Sequence, residues 1–233
     1  MMSLASPEFW IALFQIIMIN IVLSGDNAVV IALASRSLPP TQQKKAIIFG
    51  SIGAIVLRLL LTFFAVMLLA QPYLKLVGAA LLLWIGIGLL KSDGDEGDLK
   101  AHSNLIAAIK TIIVADLVMS LDNVIGVAAA AKGNVPLLVI GLAISIPLII
   151  YGSTMILKLM THYPVIVTIG AALLGWVAGE MAISDPAVGG WMAAHGTLHL
   201  LAPAVGAVMV VVVGKWLLAR AQVAPAAVAE QAH

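Results

Sequence analysis

The stretch Asn20-Ile-Val-Leu-Ser-Gly-Asp26-Asn27-Ala-Val-Val-Ile-Ala and its echo Asp116-Leu-Val-Met-Ser-Leu-Asp122-Asn123-Val-Ile-Gly-Val-Ala decide how this chain is read. Both run polar, three apolar, Ser, one variable residue, Asp-Asn, then apolar, and Asp26 and Asp122 stand 96 positions apart. A carboxylate at membrane depth is costly and marks a functional site by default. The same costly feature twice points to a duplicated half-site.

The sequence around these motifs is that of a bilayer protein. Of 233 residues, 62% are hydrophobic and 10% charged, with a mean hydropathy of +1.12. A soluble domain carries about 25% charged residues, so this chain cannot solvate a surface around so much apolar sequence. A soluble enzyme, a nucleic-acid binder and a disordered chain are all poor readings. The net charge of +1 is uninformative about partners. Without Cys there is no disulfide, thiolate metal site or cysteine nucleophile. The N-terminus has no basic n-region and carries Glu8, so a cleaved signal peptide is not expected.

A span needs about 20 mostly apolar residues. Seven segments qualify, at roughly 9–34, 46–70, 73–91, 105–131, 135–157, 164–184 and 199–219. The expected fold is therefore all-α and polytopic, a single transmembrane domain over residues 1–221 with a flexible tail at 222–233. Short turns with Pro, Gly or charge separate the spans, among them Pro39-Pro40, Gln71-Pro72 and Tyr163-Pro164. Asp93, Asp95, Glu96 and Asp98 read as a solvated loop. Arg36, Lys44, Lys45, Lys91, Lys100, Lys158, Lys215 and Arg220 fall on one side, against Lys75 and Lys132 on the other. That bias puts the N-terminus outside and the C-terminus in the cytoplasm.

A second match extends the repeat. Gly78-Ala-Ala-Leu-Leu-Leu-Trp84 aligns with Gly170-Ala-Ala-Leu-Leu-Gly-Trp176, 92 positions on. The unit is thus three spans, about 9–91 and about 105–184, with 199–219 as an extra helix. An odd number of spans inverts the second copy, and inverted repeats of this kind place a transport site at their interface near the midplane.

On a helix, Asn20, Ser24 and Asn27 share one face, as do Asp116, Ser120 and Asn123. Polar stripes can simply bond helix to helix. The acids argue for more. Asp26 and Asp122 lie off their stripes, so either they face another neighbour or the helix breaks there; Gly25 favours a break in the first copy and Leu121 disfavours one in the second. Asp26, Arg58, Asp116, Asp122 and Glu180 are the ionisable residues within spans. Charged, they sum to −3, which a divalent cation would reduce to −1 and a further proton would bring to zero. Carboxylate, amide and hydroxyl oxygens suit Mg²⁺, Ca²⁺ or Mn²⁺. Met18 and Met119 would draw a softer ion, though Met is common in apolar packing. Arg58 is expected to pair with one of the acids. Glu180 stands as a charge partner, a proton carrier or a solvated rim carboxylate. His195 and His199 form only a weak metal signal.

These motifs resemble the TerC family of integral membrane proteins over residues 9–219, most closely its YjbE-type branch, a family grouped with LysE-type exporters. The resemblance implies metal-ion efflux, chiefly of Mn²⁺, across a bacterial inner membrane. It carries the motif acids to Asp26, Asp122 and Asp116. The counterpart of Asp116 is Asn20, so the first half has one acid fewer.

The expectation is a Mn²⁺-type exporter working by alternating access, with Asp26, Asn27, Asp116, Asp122, Asn123, Asn20, Ser24 and Ser120 as metal ligands. An exporter of cationic organic solutes and a non-transporting membrane scaffold in metal homeostasis are the alternatives. No enzymatic activity and no resident cofactor are expected. The lipid bilayer and the divalent cation are the expected partners, self-association into a homo-oligomer is open, and nucleic acid is not a partner.

Overall fold

The computed structural model describes residues 7–91, 101–131, 134–188 and 198–230. In chain order the helices are α1 (Pro7–Leu23), α2 (Gly25–Ser35), α3 (Pro40–Leu69), α4 (Leu74–Lys91), α5 (Ala101–Ala131), α6 (Val135–His162), α7 (Val165–Ile183) and α8 (Leu198–Glu230). The chain is all-α and multi-pass. Among the described residues, five helices are long and apolar enough to cross a membrane: α3, α4, α6, α7 and α8. The count is six if α1 and α2 form one bent span. α5 is not in that set, although its 31 residues exceed membrane length and it carries both acids of the second motif.

Local chemistry explains most of the ends. Pro39 and Pro40 open α3, where a missing N–H costs nothing. Asn134 caps α6 by accepting from the Leu137 N–H at 3.2 Å, with Pro136 beside it. Tyr163-Pro164 separates α6 from α7. The final helix runs from Leu198 to Glu230, into the 222–233 segment expected as a tail.

α4 has no such local cap. Gln71-Pro72-Tyr73 precedes it, and Tyr73 adopts a left-handed φ of 68°. Its cap comes from Asp185, at the far end of α7. That carboxylate accepts from the N–H groups of Tyr73 (2.9 Å), Lys75 (3.0 Å) and Leu76 (3.2 Å), and from Ala187 (2.8 Å). Lys75 Nζ also donates to Ser184 Oγ at 3.2 Å. Asp185 is inaccessible to solvent but lies at the edge of the helix bundle. Burial pushes its carboxyl up, but the N–H groups of Ala187, Tyr73, Leu76 and Lys75 outweigh that and hold it below the usual carboxylate range. At the other end of α4, Arg36 donates to the Leu89 carbonyl at 3.1 Å, as a cation should at a helix C-terminus.

Packing follows small residues. α7 and α8 touch backbone to backbone, Gly175 against Gly206 and Gly179 against Ala202 and Pro203, with no room for a Cβ at either glycine. α5 lies along α3, while α1 and α2 lie along α6; α4 packs on α7, and α3 meets α6. The buried core draws on all of these elements, from Ile16 and Leu33 to Ile112, Leu137 and Leu174. Long apolar side chains such as Phe14, Phe63, Trp84 and Val205 point outward, as a bilayer-facing surface requires.

Candidate functional site

The first motif breaks its helix. α1 ends at Leu23, α2 starts at Gly25, and the two axes diverge by 46°. Gly25 opens α2 at the break; Gly is a poor helix former, although the space around it would admit a side chain. Across the break the Ser24 carbonyl accepts from the Ala28 N–H at 2.9 Å. The second motif does not break: α5 runs helical through Ser120 and Asn123. Both outcomes match the expectation from Gly25 and Leu121.

Arg58 on α3 reaches the space between the two motifs. It is 1% exposed. Its Nη2 donates to Asp116 Oδ1 at 2.6 Å, its Nε to Ser120 Oγ at 2.9 Å, and its Nη1 to Ser24 Oγ at 3.4 Å. Ser120 Oγ in turn donates to Asp116 Oδ2 at 3.1 Å. One guanidinium therefore joins the first motif, the second motif and the second span. The pairing expected of Arg58 is found, and its partner is Asp116. Ser24 would ordinarily cap α2, but its hydroxyl makes no cap bond and serves Arg58.

Asp26, in the first turn of α2, is half-buried. Its Oδ1 accepts from the Asn27 N–H at 2.8 Å, and it lies within electrostatic reach of both Arg58 and Asp116. Asn27 is buried beside it. Asn20 is 1% exposed, and neither its amide oxygen nor its amide nitrogen meets a hydrogen-bond partner among the described residues. Asn123 is half-buried on α5. The Asp122 side chain lies outside the described residues, as do His195 and the His199 side chain. The acidic loop from Asp93 to Asp98 lies outside them too.

Glu180 is not brought to this cluster. It is exposed on α7 and accepts from Trp176 Nε1 at 2.8 Å, one helical turn away. Among the described residues, no three His, Asp or Glu side chains converge as a ready metal cage.

A cavity of about 210 Å³ adjoins the break. Asn20, Ser24, Gly25 and Ala28 line one wall, and Ser145 and Gly152 of α6 line the other. Ser145 escaped the sequence reading because nothing in span five matched span two. Asp185 escaped it as well; the signal was the absence of any capping residue before α4.

Comparison with known proteins agrees with this architecture. Residues 5–222 match the family model described as "Integral membrane protein TerC family". The chain is 44% identical over 84% of its length to "Uncharacterized membrane protein YjbE" of Bacillus subtilis (strain 168), covering 90% of that protein. It is 26% identical to "Uncharacterized membrane protein YceF" of the same organism, over 77% of this chain and 73% of that one. "UPF0053 inner membrane protein YoaE" of Escherichia coli (strain K12) is 27% identical over 73% of this chain and 37% of its own. No solved structure matches.

Proposed function

We propose that this chain, which belongs to the TerC family of integral membrane proteins, moves a divalent cation, Mn²⁺ above all, out of the cytoplasm by alternating access. The observation that carries the reading is the buried Arg58–Asp116 pair, which ties Ser24 at the helix break to Ser120 on α5. A bilayer protein retains such a costly cluster where charge must pass. Because Glu180 faces outward, the central charges reduce to Asp26, Asp116 and Asp122 against Arg58. Two formal negatives remain, which one divalent cation balances. Oxygen donors from Asp26, Asn20, Ser24 and Asn27, with Asp122 and Asn123 of the second motif, are hard ligands suited to Mn²⁺. The ion is cargo, and Arg58 holds Asp116 and Ser120 in place while the site is empty.

Seven spans in an inverted three-plus-three arrangement with α8 added are part of this reading. Its support is the pattern of packing: α3 on α5 is mirrored by α6 on α1 and α2, while α4 on α7 and α3 on α6 pair equivalent elements across the axis. An inner-membrane location, with the N-terminus outside, follows the basic-residue bias and the printed name of the YoaE relative.

The test is Mn²⁺ content in cells expressing wild type, Asp26→Ala or Asp122→Ala. Wild type lowers cellular Mn²⁺ and both variants do not. Equal Mn²⁺ content in all three cultures rejects the proposal. Purified protein in liposomes separates it from a scaffold, which moves no ion, and competition by Lys or Arg separates it from an exporter of basic organic solutes.

A further inference from the structure

Gly78 and Gly170 open the two matched stretches, Gly78-Ala-Ala-Leu-Leu-Leu-Trp84 on α4 and Gly170-Ala-Ala-Leu-Leu-Gly-Trp176 on α7. Both glycines are buried, and each lies against a helix that carries an Asp-Asn motif. The pairing is crossed. A Cβ on Gly78 would stand 2.9 Å from Cγ1 of Val118, on the helix of the second motif. A Cβ on Gly170 would stand 2.8 Å from Cγ1 of Val29 and 3.1 Å from Cδ1 of Leu33, on the helix of the first motif. Neither glycine has room for a methyl group beside its valine. The valines are β-branched and stiff, so they cannot turn aside cheaply. The remaining neighbours are the Met181 methyl, 2.8 Å from a Cβ on Gly78, and the Met160 methyl, 3.5 Å from one on Gly170. Both are ends of flexible side chains and can give way.

The place of the contact on α5 ties it to the charged cluster. Val118 lies two residues from Asp116 and two from Ser120. Two residues turn an α-helix by about 200°, so Val118 leaves α5 nearly opposite the side that meets Arg58. The helix is held from both sides, by the Arg58 guanidinium in front and by the Gly78 backbone behind. On α2, Val29 lies two residues beyond the buried Asn27 and three beyond Asp26. The bonded cluster is built from Ser24, Arg58, Asp116 and Ser120. α4 and α7 reach it through the motif helices that they support.

We infer that Gly78 and Gly170 are positioning residues for the cation site, each seating the motif helix of the other repeat. Each half of the chain then sets where the motif of the other half stands. The role in transport rests on the efflux reading above; the crossed contacts do not.

Gly78→Ala and Gly170→Ala overfill the seats, while Val118→Ala and Val29→Ala loosen them at less risk to folding. Mn²⁺ flux is followed in proteoliposomes as a function of Mn²⁺ concentration, and thermal unfolding of each protein is recorded in detergent. A misplacement of about 1 Å in a positioned site costs on the order of 100-fold, so the smaller shift forced here should raise the apparent KM for Mn²⁺ on the order of tenfold in the glycine variants. The valine variants should raise it less. Loss of folded protein alone would lower the maximal rate and leave KM in place. Rescue should follow the crossed pairing. Val118→Ala should restore the KM of Gly78→Ala and leave Gly170→Ala impaired, and Val29→Ala should do the reverse. If a glycine variant fails to fold, its double variant with the crossed valine should fold, and the double variant with the other valine should not. An unmoved KM in all the folded single variants, or rescue by either valine alike, would reduce the seats to ordinary packing and overturn the proposal. Wild type that moves no Mn²⁺ would reject the efflux reading and the positioning role with it. Wild type that moves Mn²⁺, with KM unmoved in the variants, would reject the positioning role alone.

Discussion

The two halves of the molecule carry nearly the same motif and treat it in opposite ways. In the second half α5 stays helical, and Asp116 is locked by Arg58 and Ser120 in a closed set of hydrogen bonds. In the first half the helix parts at Ser24, Asp26 sits half-buried in the first turn of α2, and Asn20 has no protein partner among the described residues. One half is satisfied and the other is waiting. The sequence difference behind this is small: Gly25 against Leu121, and Asn20 against Asp116. The lesson is that an internal duplication need not give two equal sites. Here one copy is closed by hydrogen bonds and the other keeps an unpaired amide among the described residues.

The largest effect should come from breaking the closed half. Arg58→Leu strands the Asp116 carboxylate and should cost about 3–5 kcal/mol, the usual loss when one partner of a buried pair is removed. Thermal unfolding in detergent would register it. The double variant Arg58→Leu with Asp116→Leu should recover most of that stability, because an apolar pair of similar volume replaces the ion pair. Failure to recover would show that Ser24 and Ser120 depend on the guanidinium for more than charge.

Next in size is the third carboxylate, Asp185, which shows what a fully satisfied acid looks like outside the motifs. Asp185→Ala removes the α4 cap and should lower stability by about 1–2 kcal/mol. The sign of its pH dependence follows from its lowered folded value. The contribution is complete above the unfolded carboxylate pKa of about 3.9 and fades as pH falls through the lower folded value. The gap in unfolding temperature between wild type and Asp185→Asn should therefore hold steady near neutral pH and shrink on acidification below about pH 4. A gap that is flat down to pH 2 would contradict the ionised cap.

Asp26→Asn should barely alter stability, within about 0.5 kcal/mol, because the carboxylate has no cationic partner in hydrogen-bond contact. It should nonetheless abolish Mn²⁺ efflux, which separates the waiting half from the closed one. Equal loss of stability in Asp26→Asn and Asp116→Asn would erase the distinction. The smallest effect on efflux is expected of Gly25→Leu, which gives the first motif the residue of the second. Replacing Gly by a better helix former should raise stability by under about 1 kcal/mol. Efflux should slow, measured as Mn²⁺ retention, because the break is discouraged.

Much of this was legible in local composition. Apolar runs gave helix positions to within six residues over α1 to α7, since a bilayer leaves the backbone few other choices. Gly25 and Leu121 indicated which motif would break, and the solitary intramembrane arginine indicated that Arg58 would find an acid. What stayed hidden depends on which distant faces meet. For Glu180 the sequence left a charge partner, a proton carrier and a solvated rim carboxylate open; in the fold it is exposed near the end of α7 and accepts from Trp176. Ser145 looks like any small residue of α6 until α2 is laid against it. Asp185 follows α7 as an ordinary loop acid, and only the uncapped start of α4 hints at its role.

That last contact has a consequence for how the protein is made. The Tyr73 N–H and its Asp185 acceptor are 112 residues apart. At the roughly 5–20 residues per second of synthesis, α4 waits on the order of ten seconds before its cap exists. During that interval its first amides must be served by water or lipid headgroups at the membrane surface. The start of α4 is thus capped only after α7 has been made, and a ribosome stalled between them leaves a helix with an uncapped, electropositive end.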